Sequence, residues 1–191
     1  MINAKKKKEL NLSSFNTKNV ENMFFMFGNC SNLESLNLSN FDTSKTLDMF
    51  GMFKDCTNLK QLDISSFDTS LVNDMGEMFG NYNNLDNIQI NNFEVKNVKS
   101  MLGMFEKCTN LASLDISNFD SQNLEEISYF LSNCRGLEYL DMSKFKTTEQ
   151  IKYENIFENI SETGTLICND DNIINIMKEL HGGWTIKKSE N

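Results

Sequence analysis

Phenylalanine stands at Phe15, Phe41, Phe67, Phe93, Phe119 and Phe145, six copies with every step 26 residues long. An uninterrupted period of that length means one supersecondary unit per repeat, stacked so that like positions form ladders. A chain of this kind offers a long surface to a partner rather than an enclosed active site. Function is therefore to be sought among the positions that the ladders leave outward.

Aligned on the Phe column, one copy reads Leu59, Leu62, Ile64, Phe67, Val72, Met75, Met78, Phe79. Shifted by one period it reads Leu85, Ile88, Ile90, Phe93, Val98, Met101, Met104, Phe105. Leu62 and Ile64 alternate with Gln61, Asp63 and Ser65, the pattern of a short strand with one inward face. Val72, Met75, Met78 and Phe79 then fall at i, i+3, i+6 and i+7, the apolar face of a short helix or helical coil. Asp68 and Thr69 between them are turn and cap residues. The expected architecture is an α/β repeat solenoid of about six 26-residue strand–turn–helix rungs. Absence of proline suits a chain whose rungs must all supply backbone donors.

The formal charge of −9 disfavours nucleic acid, whose phosphates require clustered Lys and Arg. The one basic run, Lys5 to Lys8, is followed by Leu10, Asn11, Leu12, Ser13 and Ser14, too short and polar an apolar stretch for a signal peptide. No window approaches a membrane-spanning length, so no insertion in a bilayer is expected. The acidic balance favours solubility first, and a basic partner or divalent cation second.

Cys30, Cys56, Cys108 and Cys134 share one column, with Tyr82 where the ladder skips and Cys168 outside it. No two are close enough in sequence for a zinc ligand pair. Their side chains should point the same way into the core, so they read as small buried residues with reduced thiols. His181 is the lone histidine, and no catalytic or phosphate-binding motif occurs. No cofactor, metal or catalysis is expected.

The run from Met52 to Thr69, Met-Phe-x-x-Cys-x-Asn-Leu-x-x-Leu-Asp-Ile-Ser-x-Phe-Asp-Thr, resembles the BspA-like class of leucine-rich repeats. It is most similar to the version found in surface proteins of mycoplasmas, other host-associated bacteria and some protists. Tyr82, Glu94-Val95 and Lys146 depart from the pattern, and Ile151, Tyr153 and Ile156 loosen it. The resemblance implies a right-handed leucine-rich-repeat stack at a cell surface or secreted, mediating adhesion or protein binding without catalysis. A host or matrix protein is the partner so implied.

On this reading residues 1–9 are a basic tail, 10–160 the repeat array and 161–191 a cap. Thr165 to Cys168 should be a strand, Asp170 or Asp171 should cap a helix carrying Ile173, Ile174, Ile176, Met177 and Leu180, and Trp184 to Ile186 should be a last strand sealing the core. At the other end Lys7 stands where the column calls for Leu. The array is expected either to close on a polar tail or to continue in a longer chain.

The outward strand positions are Asn37, Asp63, Gln89, Asp115 and Asp141, with Tyr139 beside them. These form the candidate binding face, although a merely solvated face would look alike. Asp115 and Asp141 should oppose each other on adjacent rungs, an unfavourable pairing that hints at a cation or basic partner. The second acidic column, Asp42, Asp68, Glu94 and Asp120, is explained by turn chemistry. Against a binding module stand two alternatives, a structural spacer and an intracellular scaffold.

Overall fold

The computed structural model describes residues 6–189. Residues 1–5 of the expected basic tail, Lys5 included, lie outside it. The period appears in space as parallel bridges linking Asn22 to Asp48, Asp48 to Asp74, Asp74 to Ser100, Ser100 to Glu126 and Glu126 to Lys152. Each 26-residue coil thus lies on the next, and the columns run through one continuous core. Phe27, Phe53, Phe79 and Phe105 stack ring on ring with centroids 5.4–5.9 Å apart. Where Leu131 takes the next slot, Phe130 meets Phe105 edge-on at 88° instead. The column of Phe41, Phe67, Phe93, Phe119 and Phe145 is buried, and only Phe15 in the first coil is exposed.

The strand–turn–helix rung is not what forms. Among the described residues there is one helix, α1 (Asp171–Leu180), and one parallel sheet of four strands: β1 (Ser113–Asp115), β2 (Tyr139–Met142), β3 (Thr163–Cys168) and β4 (Gly183–Lys187), in that spatial order. The expected six-rung α/β solenoid is therefore overturned, and the leucine-rich-repeat geometry with it.

Backbone geometry gives the reason. In the expected helix after Val72, the amides of Met78, Gly80 and Tyr82 donate to the carbonyls of Met75, Glu77 and Phe79, three residues back. The intervening amides of Met75, Glu77, Phe79 and Asn81 donate across to Ser100, Leu102, Met104 and Glu106 of the next coil. A helix needs every amide for its own i−4 carbonyl. Two left-handed residues per coil enforce the difference: Glu77 has φ 52° and Asn81 φ 56°, and the same two columns hold Phe25 and Asn29, Gly51 and Asp55, Gly103 and Lys107. The segment is a chain of turns. It still buries Val72, Met75, Met78, Phe79 and Tyr82, so the apolar spacing marked the core correctly but named the wrong element.

The strands fail for a related reason. In four of the copies the polar residue between the inward-facing pair takes the amide two residues on: Asn37 accepts from Ser39, Asp63 from Ser65, Asp115 from Ser117 and Asp141 from Ser143. The turn keeps every extended segment short, including 113–115 and 139–142, the two that become strands within the described repeats. Buried hydroxyls clip the coils instead. Thr43 donates its Oγ1–H to the Asp68 carbonyl at 2.9 Å and accepts the Asp68 amide at 2.8 Å, and Thr17, Thr69 and Ser121 do the same one coil apart.

At the C-terminal end β3, α1 and β4 follow one another, with β4 parallel to β3. Asp170 caps α1 by accepting the Ile173 amide at 3.0 Å, and Ile173, Ile174 and Met177 bury its apolar face. Trp184 is buried and donates its indole N–H to the Ser161 carbonyl at 2.8 Å.

Candidate functional site

The outward face of the former strand segments is divided. Asn37 and Asp63 border a groove of about 580 Å³ lined by Ser35, Leu36, Gln61 and Ser65. Gln89 lies in a second hollow of about 310 Å³, with Lys60, Asp86 and Asn87 on its walls. Asp115 and Asp141 face each other in register across β1 and β2, and Tyr139 on β2 pairs with Ser113. The six residues therefore form three groups: Asn37 with Asp63 at the first groove, Gln89 in the second hollow, and Asp115, Asp141 and Tyr139 on the paired strands.

Electrostatics separates these groups further. The Ser65 hydroxyl, 2.7 Å from Asp63, and the Ser65 amide hold the Asp63 carboxyl below the usual carboxylate range. Burial, then the Asp141 and Asp115 carboxylates, push the Tyr139 phenol up. Next to Ser35 of the first groove in sequence, Glu34 holds Lys8 at 2.6 Å and Lys60 at 3.6 Å, and Lys8 foremost draws its carboxyl down. The acidic column that looked free to bind thus already serves as turn acceptors, as does the second column, where Asp42 and Asp68 accept the Ser44 and Ser70 amides. A carboxylate has lone pairs beyond the one used for a turn, so the outward oxygens can still meet a partner.

The serines of the groove were not singled out from the sequence. Their signal was present in the Leu-Asp-Ile-Ser-Ser motif, where the outward serines flank each turn. Also missed was an aromatic cluster of Phe24, Phe25 and Phe50, in which Phe24 and Phe50 stack at 5.5 Å and Phe24 is 47% exposed. The Phe24-Phe25 doublet beside Met23 was its sequence mark.

The cysteines behave as one group. All five are buried, and none is joined in a disulfide. Cys56, Cys108 and Cys134 donate their thiol protons to the carbonyls of Phe27, Phe79 and Phe105 in the preceding coil, at 3.3, 3.0 and 3.0 Å. Burial pushes the Cys56 and Cys108 thiols up to about 12. Lone His181 is buried too, its Nε2 2.7 Å from the Phe157 carbonyl. Among the described residues no three His, Cys, Asp or Glu side chains converge on a metal position, and no helix is long and apolar enough to cross a membrane.

Two matches to one family model, over residues 1–111 and 58–169, span most of the chain. The family is described as Mycoplasma protein of unknown function, DUF285. The chain belongs to this family. The overlapping matches fit the repeating coils, since a repeat family aligns in more than one register. No curated protein and no solved structure matches the chain.

Proposed function

We propose that this member of the DUF285 family is a noncatalytic protein-binding module, working at a cell surface in adhesion. The finer resemblance to BspA-like surface proteins favours that setting. The observation that carries the reading is the groove of about 580 Å³ beside Asn37 and Asp63, continued along the same face by the Gln89 hollow and the Asp115–Asp141 pair. Its exposed donors and acceptors sit on coils fixed by a continuous core, a preorganised surface that saves a binder ordering entropy. Buried thiols with raised pKa and a buried histidine support the noncatalytic part, because neither is placed as a nucleophile or base.

The partner is a protein with a basic patch, to suit a chain of charge −9. Surfaces coated with fibronectin, laminin or collagen provide the test. Wild type should bind at least one, and Asp115→Asn with Asp141→Asn should weaken that binding and flatten its salt dependence. Asparagine keeps the turn acceptor, as Asn37 shows, so the fold stays intact. Binding unchanged in the double variant removes the face from consideration.

A further inference from the structure

A second surface lies on the turn segments. Phe25, Gly51, Glu77, Gly103, Tyr129 and Asn155 share one column, and all six have positive φ, between 48° and 61°. The side chains of Phe25 and Glu77 lean over the next coil at Gly51 and Gly103. The ring of Phe25 lies so close over Gly51 that a β-carbon there would stand 2.5–2.8 Å from three ring carbons. Glycine at Gly51 is thus required twice, by φ and by the ring.

Two coils on, the relation repeats with different partners. Gly103 again offers a bare α-carbon, but Glu77 precedes it where Phe25 precedes Gly51. The three atoms nearest a β-carbon at Gly103 would be Glu106 Oε2 at 3.4 Å, Glu106 Cβ at 3.5 Å and Glu77 Cγ at 3.7 Å, none of them in a ring. A pocket of about 310 Å³ opens there, with Gly103 as floor and Glu77, Leu102, Glu106 and Tyr129 as walls. That size is at the small end of ligand sites and suits one side chain. Lys54 pairs with Glu77, and Lys107 with Glu106 at 2.8 Å, so both carboxylates are already held by flexible ammonium groups at the rim.

We propose that the Gly103 pocket is a socket for an aromatic side chain of a partner protein, flanked by a lysine or arginine that engages Glu77 and Glu106. The chain itself supplies the shape argument, since a phenyl ring fills the corresponding notch over Gly51. Tyr129 adds an aromatic wall against which an incoming ring can stack. The two carboxylates select the basic neighbour, which exchanges with Lys54 and Lys107 for them. This socket goes beyond the strand face described above, shares no residue with it, and stands or falls separately.

Blocked tripeptides Lys-Phe-Lys, Lys-Ala-Lys and Glu-Phe-Glu, titrated into the isotope-labelled chain and followed by amide chemical shifts, test it. Lys-Phe-Lys should give saturating shifts at Leu102, Gly103 and Glu106, with affinity about tenfold above that of either control. Gly103→Asn should abolish them without unfolding the chain, because Asn155 occupies the same column at φ 52°. Equal responses to the three peptides, or an undiminished response from Gly103→Asn, overturns the socket, whatever becomes of binding at Asp115 and Asp141.

Discussion

Thr43 shows how much one buried hydroxyl does in this chain. It is 1% exposed, donates to the carbonyl of Asp68 and accepts from the amide of the same residue, standing in for a strand neighbour. Replacing it with valine keeps volume and strips both bonds, which should cost about 2 kcal/mol in urea unfolding. Val95 occupies the same column and lacks the hydroxyl, so Val95→Thr should add the missing clip and gain about 1 kcal/mol. Asp74 is a different case. Burial, and behind it the Asp48 carboxylate across the bridge, push its pKa up. The protonated form is the favoured one in the fold, so its contribution is complete below the ordinary carboxylate pKa and is lost as pH rises through the raised value. Asp74→Asn retains the acceptor for the Gly76 amide and removes the charge. At neutral pH it should unfold later, by about 0.5 kcal/mol, and the advantage should vanish on acidification. The thiols make a third test at this scale. With Cys56 and Cys108 pushed up to about 12 and all five cysteines buried, a thiol reagent at pH 8 should label none in the folded chain and all five in denaturant.

The element that defines the fold is the pair of left-handed residues in each coil. One of their columns reads Asn29, Asp55, Asn81, Lys107, Asn133 and Asn159, with φ between 55° and 65°. Asparagine and aspartate adopt that region at lower cost than lysine, so Lys107→Asn should stabilise by about 0.5 kcal/mol, after losing a surface pair with Glu106 worth little. A higher urea midpoint with unchanged slope is the expected result. The same column explains why the sequence misled about the element while identifying the core. A period of 3.6 and a chain of turns both bring Val72, Met75 and Phe79 to one side, so apolar spacing alone does not separate them. The separating signal was the column of Asn29, Asp55, Asn81, Asn133 and Asn159, turn residues inside an apparent helix, broken only by Lys107. The candidate site was legible in the same partial way. Asp115 and Asp141 were placed opposite each other from the period alone. That Asp63 spends an oxygen on Ser65 was hidden, because a turn acceptor and a free ligand share one residue type.

At the scale of the whole molecule, stability is a sum over coils and the contacts between neighbours. Bridges, rings and hydroxyl clips all join residues 25 or 26 apart, so the period itself is the unit of cooperation. Excising residues 67–92 joins Ser66 to Phe93 and leaves every remaining column in register. The shortened chain should fold and unfold in one transition, its urea slope reduced by about one-seventh, the share of 26 residues in 191. Excising residues 67–79 removes half as many residues but strands half a coil. Phe53 then loses Phe79 from its stack, and Cys108 loses the Phe79 carbonyl that accepts its thiol proton. That smaller deletion should be the more damaging, with a broad transition or none. Were the two deletions to cost stability in proportion to their length instead, cohesion would be spread through the core without regard to register, and the 26-residue coil would not be the folding unit.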